Sequence, residues 1–303
     1  MNNLIHYTNC PVCGSAEIKT IFSAKDYTVS GEAFTIVECN FCLLRFTQDV
    51  ADAATMAPFY KSENYISHTN SSKGLINRLY QSVRKRTLRQ KRKLVEITTG
   101  VKAGHLLDVG SGTGAFVNEM KLFGWQVTGL EPGTKAKAIA KQLYQVELKD
   151  ANEFYQLPAG SFDAITLWHV LEHVHDLSGY VKQLKALLKE NGKLFIAVPN
   201  YTSKDAAIYK EFWAGYDVPR HLYHFSPRSM KVLIEKNELQ LLQHKPMWYD
   251  SFYISLLSSK YKNGRVNLIA SFVNGLRSNY NAIGDVKKCS SVIYIIGKNY
   301  CAN

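Results

Sequence analysis

His105-Leu106-Leu107-Asp108-Val109-Gly110-Ser111-Gly112-Thr113-Gly114 decides how the rest of the chain is read. Leu106 to Val109 is a short apolar run carrying one acid. Three glycines spaced G-x-G-x-G follow at once, and then an amphipathic segment, Ala115 to Lys121. This order predicts a buried parallel strand, a tight turn and a helix start. Glycines suit such a turn because they accept positive φ and put no side chain between the backbone and a ligand.

Spacing and charge narrow the ligand. The pattern is not the G-x-G-x-x-G that opens a dinucleotide site. Asp108 lies inside the strand, just ahead of the first glycine. A buried carboxylate repels a pyrophosphate, so Asp108 speaks against a phosphate ligand. It suits a ligand with a positive group, such as the ammonium and sulfonium of S-adenosylmethionine. The next strand, Gln126 to Leu130, ends at Glu131, an acid placed to accept both hydroxyls of a ribose. On these residues the sequence resembles the class I S-adenosylmethionine-dependent methyltransferases, a resemblance that covers residues 85 to 303. It implies that Asp108, Gly110, Ser111, Gly112, Gly114 and Glu131 bind the cofactor. The alternative on the residues alone is a Rossmann-type domain that binds a nicotinamide or nothing.

Composition sets bounds. The chain has 303 residues, 46% of them hydrophobic, enough for a full core in one large domain and a small one. No apolar run reaches the roughly 18 residues of a membrane helix. Met1 to His6 lacks a basic region followed by an apolar core, so no secretory signal is expected and the protein is read as cytoplasmic. The formal net charge of +12 favours anionic partners: nucleic acid, an acidic membrane surface or phosphorylated small molecules. Arg84, Lys85, Arg86, Arg89, Lys91, Arg92 and Lys93 crowd one short segment, read first as a solvated basic helix face and second as an anion-binding rim. Nucleic-acid binding ranks third, because aromatic residues do not interleave with the run.

Six cysteines include two pairs, Cys10-x-x-Cys13 and Cys39-x-x-Cys42. In a reducing compartment such pairs mean metal more often than disulfide. Each is a knuckle whose two thiolates chelate one face of an ion, and together they complete a tetrahedron. Residues 1–50 are therefore expected to form a small four-cysteine, zinc-ribbon-like module with structural zinc, with Phe34 to Glu38 as a strand leading to the second knuckle. The other readings are a metal-free module with buried thiols and, behind it, disulfides. Cys289 and Cys301 read as bystanders. Residues 51–84 read as a linker and lid segment, aromatic and polar at Phe59, Tyr60 and Tyr65, with a loop over 69–80. The order of cysteine pairs, Tyr-rich segment and methyltransferase core resembles a bacterial small-molecule group with an N-terminal zinc-binding region, to which sugar C-methyltransferases belong. The chain departs from those in lacking a long extra C-terminal domain.

From a basic helix at 80–99 onward, strands and helices alternate at the pace of a parallel α/β sheet. Strands are expected at Leu106–Val109, Gln126–Leu130, Gln145–Leu148, Phe162–Leu167, Lys193–Val198, Leu239–His244 and Ser291–Gly297. Helices are expected at Lys135–Tyr144, at Leu177–Leu188 with a stop at Asn191-Gly192, and at Pro227–Asn237 with Ser226 as cap. The fold class is α/β: a Rossmann-like class I methyltransferase sheet, mostly parallel, over residues 85–303. The resemblance implies a last strand inserted antiparallel between the fifth and sixth. Residues 250–288 are weakly patterned, read as helices with loops.

In an open parallel sheet, ligands bind beyond the C-terminal strand ends. Asp150-Ala151 follows the third strand, where the family contacts adenine. Val170-Leu171-Glu172-His173-Val174-His175-Asp176 matches the V-L-E-H-V-x-D motif of many small-molecule methyltransferases, which puts Trp168 and His169 beside the methionine part of the cofactor. Glu172 and His173 are then either near the methyl group or structural. Arg220-His221-Leu222-Tyr223-His224-Phe225-Ser226 resembles an R-H-L-x-H-F-S segment that packs the acceptor side in relatives. His221 is the first choice for general base, since an imidazole titrates near neutral pH. Otherwise His221 and His224 merely bond loop backbone. Arg220 is read as a clamp for an anionic acceptor, Tyr223 and His224 as pocket-shaping, and Phe59, Tyr60, Tyr65 and Trp213 as walls and lid. The function expected is methyl transfer to a small molecule, an anionic metabolite or an activated sugar, by a monomer or homodimer. The alternative is an RNA or protein methyltransferase, without the N-P-P-Y-type tetrapeptide that handles amines. A non-enzymatic binding module ranks third.

Overall fold

The computed structural model describes residues 4–60 and 75–299, with side chains from 81 onward in the second stretch. Tyr65, the loop expected over 69–74 and Cys301 lie outside the described residues. In chain order the elements are β1 (Leu4–Ile5), β2 (Ile18–Lys25), β3 (Ala33–Cys39), β4 (Arg45–Thr47), β5 (Val50–Ala51) and α1 (Leu75–Thr99). Then come β6 (His105–Val109), α2 (Ala115–Leu122), β7 (Gln126–Leu130), α3 (Thr134–Tyr144), β8 (Phe162–Trp168) and α4 (Leu177–Leu187). β9 (Leu188–Pro199), α5 (Lys204–Tyr209), β10 (Tyr223–His224) and α6 (Pro227–Lys236) follow. The last are β11 (Leu239–Pro246), α7 (Asp250–Asn263), α8 (Leu268–Ile283) and β12 (Ser291–Lys298). The chain divides into two compact units.

One unit comprises Ile66–Trp168, Lys182–Phe195 and Ile296–Asn303. Its strands run in the order β9-β8-β6-β7. β6 pairs parallel with both β7 and β8, so Asp108 stands between Gly129 and Thr166. Leu106, Leu107, Ala164, Ile165 and Leu167 are buried, as befits strands covered on both faces, which is why they read as near-continuous apolar runs. α2 covers them with Phe116, Val117 and Met120.

Three local expectations change. The strand expected at Gln145–Leu148 is not formed. Gln145 takes φ 53° as the cap of α3, and the chain reaches the sheet only at Lys149, in a single bridge to Leu130. α4 ends at Leu187, without using Asn191-Gly192. Its last carbonyls, Ala186 and Leu187, accept from the N–H groups of Gly160 and Ser161, and β9 runs straight through the expected stop. α1 starts at Leu75, inside the stretch read as loop.

The other unit comprises Met1–Tyr65, His169–Val181 and Ile196–Ile295. Here β12 lies between β9 and β11, the place expected of it. A second sheet has the order β10-β4-β3-β2, all antiparallel. β2 and β10 carry no sequence signal strong enough to be expected. α7 and α8 fill the weakly patterned region. Ser226 caps α6 as expected, accepting from Ser229 N at 3.1 Å. Among the described residues no helix is long and apolar enough to cross a membrane.

Candidate active site

The glycine turn leaves β6 with Gly110, Gly112 and Gly114 all at positive φ, 69°, 52° and 75°. Gly114 is needed for packing: a Cβ there would lie 2.8 Å from Cβ of Ala140 on α3. Gly112 is different, because a Cβ there would meet nothing within 4 Å. The turn is thus open on its Gly112 side, a backbone cradle of the kind a ligand occupies. Gly112 N donates to Glu131 Oε2 at 2.8 Å, and Gly133 N donates to Oε1 at 2.8 Å. Each carboxylate oxygen keeps a further lone pair, enough to accept the two hydroxyls of a ribose. Ser111 does structural work: its N bonds Leu130 O and its Oγ donates to Asp108 O.

Asp108 is 1% exposed. Burial pushes its carboxyl up to about 6, opposed by the hydrogen bond from Thr166 and the Lys91 ammonium. Thr166 Oγ1 donates to Asp108 Oδ1 at 2.6 Å. No motif announced Thr166; only its place on β8, in register with Asp108, could have. Asp150 caps the short turn Ala151–Gln156, shares a capping box with Glu153 and pairs with Lys137. Trp168 is braced by Phe116, ring centroids 5.6 Å apart. Its indole Nε1 is buried without a hydrogen-bond partner among the described residues. Lys91 stands 4.1 Å over the same ring.

The basic run on α1 is therefore not one solvated face. Lys85, Arg86, Arg89 and Lys93 are exposed. Arg92 is buried, bonded to Glu96 and Glu119, and lies over Phe123. Arg84 donates to Thr113 beside the glycine turn at 3.3 Å.

The other unit gathers three imidazoles around one acid. Glu172 is 0% exposed, and neither carboxylate oxygen has a hydrogen-bond partner among the described residues. Burial raises its carboxyl, but His169, His221 and His173 lower it more, so it is ionised. His169, expected at the cofactor, lies in this unit with its Nδ1 3.3 Å from Glu172 and its Nε2 2.9 Å from Asp250. Burial lowers His169, yet the two acids lift it to about 10, making it a cation at neutral pH.

His173 is pushed down to about 4, first by burial and then by His221, so it is neutral. Its Nδ1–H donates to Arg220 O at 3.0 Å, and Tyr60 OH lies 3.1 Å from the same nitrogen. His221 Nδ1–H donates to Gly215 O at 2.9 Å. A carbonyl can only accept, so both rings carry a proton on Nδ1, and His173, held neutral, keeps its lone pair on Nε2. The two rings touch edge to face at 4.7 Å. The reactive atoms of Glu172, His173 and His221 all lie within 4.8 Å of one another, near enough to share a proton or a cation.

Several expected roles are corrected by burial. Arg220 is 1% exposed and saturated by its own chain: it donates to Asp217, to Asp26 at 3.1 Å and to Phe59 O. It is an internal tie, not a clamp for an acceptor. Trp213 is core, its Nε1 bonded to Asp205 at 2.7 Å, and no lid. Tyr223 and His224 form β10 and lie against β4, with His224 Nε2 3.1 Å from Thr47. Asp26, supplied by the loop after β2, is the residue sequence reading missed.

In the same unit Cys10, Cys13, Cys39 and Cys42 present four sulfurs within 4.8 Å of one another. Cys10 Sγ is 3.5 Å from Cys42 Sγ, and Cys13 Sγ is 3.4 Å from Cys39 Sγ. Four sulfurs about 2.3 Å from a tetrahedral zinc are about 3.8 Å apart, so the set fits that ion with a small expansion. Cys289 is buried and elsewhere, its thiol pushed up to about 11 by burial.

An α/β sheet with a buried acid ahead of a glycine turn, and a second acid bonded to that turn, defines a nucleoside-cofactor domain of the Rossmann-like class. The chain belongs to the class I S-adenosylmethionine-dependent methyltransferases: the methyltransferase-domain family profile matches residues 77–244. It is 36% identical over 166 residues to a ubiquinone biosynthesis O-methyltransferase of Albidiferax ferrireducens, covering 50% of this chain and 65% of that one. It is 30% identical over 159 residues to the protein of the same name from Xanthomonas oryzae, covering 48% and 66%. The chain thus spans just under two thirds of these relatives' length. Among solved structures it is similar to magnesium protoporphyrin IX methyltransferase from Synechocystis, with TM-score 0.54, 12% identity and coverage of 82% and 100%. It is also similar to Haemonchus contortus phosphoethanolamine N-methyltransferase 2, with TM-score 0.53, 17% identity and coverage of 84% and 62%. At these identities the structures speak for the fold alone.

Proposed function

We propose that the protein transfers a methyl group from S-adenosylmethionine to a small-molecule acceptor, an anionic metabolite or an activated sugar. The observation that carries this reading is the Asp108–glycine turn–Glu131 arrangement. The open face at Gly112 takes the nucleoside, Glu131 accepts its ribose hydroxyls, and Asp108 sets a negative field for a cationic methionine end. Trp168 offers a wall and an unused N–H, and Asp150 with Ala151 flanks the base. When bound, the cofactor supplies an already activated methyl on a sulfonium, so transfer needs no metal.

The chain's own residues then have two tasks. They align the acceptor and keep water away, and they take the proton that an acceptor hydroxyl gives up as its oxygen gains the methyl. His221 Nε2 is assigned that proton, since its Nδ1–H is fixed on a backbone carbonyl. His173, held neutral, and ionised Glu172 stabilise the imidazolium that results. Support for a hydroxyl comes from the names of the curated relatives. A labelled-methyl screen over nucleotide sugars, phenols and total RNA tests the reading. Transfer to a small molecule is expected; transfer to RNA alone, lost steeply with salt, would replace it with the nucleic-acid reading.

We also infer that Cys10, Cys13, Cys39 and Cys42 hold one structural zinc, with all four positions filled and none open for catalysis. Metal analysis of the purified chain should give about one zinc per molecule, and Cys39→Ser should lose it together with thermal stability. Full retention of metal in that variant would move the ion elsewhere.

A further inference from the structure

Helix α8 is amphipathic in the inverse sense. Its buried positions are small: Ser271, Gly275, Ser278 and Ala282. Its large apolar residues Leu268, Ile269, Phe272, Leu276, Tyr280 and Ile283 are between 47% and 80% exposed. At about 100° per residue these six fall within an arc of about 120°, one continuous stripe. The stripe is not an accident of a loosely held helix. Ser278 Oγ donates to Asp205 at 2.5 Å, Asn274 Nδ2 donates to Tyr209 OH at 3.0 Å, and Ser251 Oγ donates to Asn279 at 2.9 Å. A Cβ on Gly275 would come 2.6 Å from the Phe252 ring of α7. The small face is locked inward, so the apolar face points out.

Charge says what covers it. From Ser251 to Gly284 the chain carries Lys260, Lys262, Arg265 and Arg277 and not one carboxylate. All four cations are exposed. We propose that the outer face of α8 docks on an anionic lipid membrane, its apolar stripe entering the interface while these cations meet lipid phosphates. Apolar side chains at the headgroup boundary combined with basic residues are what interfacial helices use, and each surface cation adds attraction to an acidic leaflet. A second copy fits worse. A two-fold contact sets a surface against itself, and the four cations of that surface outnumber its flanking acid Asp285, which already accepts from Lys287 N. An uncharged protein groove leaves the cations without partners. The proposal does not depend on the methyl-transfer reading.

The test is co-sedimentation of the full chain, without cofactor or acceptor, with vesicles of phosphatidylcholine alone or mixed with phosphatidylglycerol. Binding to the mixed vesicles is expected, at least tenfold weaker to phosphatidylcholine and weakened by salt. Ile269→Asn with Ile283→Asn should reduce it at least tenfold while leaving the melting temperature unchanged, the two residues being 80% and 71% exposed. Lys260→Gln with Lys262→Gln and Arg265→Gln, which leaves the stripe intact, should reduce it several-fold and flatten the salt dependence. No binding to mixed vesicles overturns the proposal. So does binding that both sets of substitutions leave unchanged, or a dimer in sedimentation velocity that the α8 substitutions split while vesicles stay bare.

Discussion

The glycine turn and the imidazole cluster are built by opposite means. The turn is local: Asp108, Gly110, Gly112 and Gly114 lie within one strand and its exit, and the partner acid Glu131 ends the neighbouring strand. The imidazole cluster is assembled from distant segments and tied by Arg220, whose partner Asp26 is 194 positions away. The turn keeps an open face at Gly112, whereas the ties of the cluster are spent internally. A ligand cradle shows itself by unused capacity and a tie such as Arg220 by capacity fully used, and the cluster holds both, since neither Glu172 oxygen has a hydrogen-bond partner among the described residues.

That contrast is sharpest at His221. His221 spends its Nδ1–H on the Gly215 carbonyl, as His173 does on that of Arg220, and Nε2 is the ring nitrogen each has left. His221→Ala should lower turnover by roughly 100- to 10,000-fold with cofactor affinity nearly intact, read by single-turnover kinetics and calorimetry. Unchanged turnover removes it from the role of base. Arg220→Met should fail differently. It strands Asp26 and Asp217 in the interior without their cation, and stability should fall by about 3–5 kcal/mol in urea unfolding. A folded, stable variant with only a raised KM for an anionic acceptor would restore the clamp reading.

Asp108 gives a prediction in pH. Its carboxyl is raised from 3.8 to about 6, so the folded state disfavours the ionised form. The advantage it gives the fold is present below 3.8 and lost as pH rises through about 6. Asp108→Asn should therefore melt above the wild type at pH 8 by up to about 3 kcal/mol of stability, with the gap closed near pH 4. A variant less stable at every pH would mean that the acid is there for the fold rather than for a ligand. The smallest effect is expected at Gly112. Ala there meets open space, so only the positive φ opposes it, roughly 1 kcal/mol. Gly114→Ala, pressed on Ala140, should cost more stability than Gly112→Ala, while Gly112→Ala should cost more cofactor affinity.

The same contrast governs what the sequence could reveal. β6, β7, β8 and the turn were legible because an apolar run, a glycine pattern and an acid sit in register within a few positions. The four cysteines were legible for the same reason, as paired knuckles. Thr166 was not, since its bond to Asp108 joins residues 58 positions apart. The types of Arg220, Trp213 and His224 suggest ligand contact; Trp213 and Arg220 do edge a small cavity with Ala24 and Tyr261, but their polar atoms are bonded to Asp205, Asp217 and Asp26, and His224 lies against Thr47. The strand expected at Gln145–Leu148 failed on one backbone angle, at Gln145, which no periodicity encodes. The helix stop at Asn191-Gly192 failed because caps from Gly160 and Ser161 ended α4 earlier.

Isothermal titration of the chain with S-adenosylmethionine, and separately with a nicotinamide dinucleotide, measures the central claim most directly. One site per chain for S-adenosylmethionine, in the micromolar range and at least 100-fold weaker in Asp108→Asn, with no heat from the dinucleotide, is the result expected. No binding of S-adenosylmethionine at millimolar concentration, or a site filled by the dinucleotide instead, would contradict it.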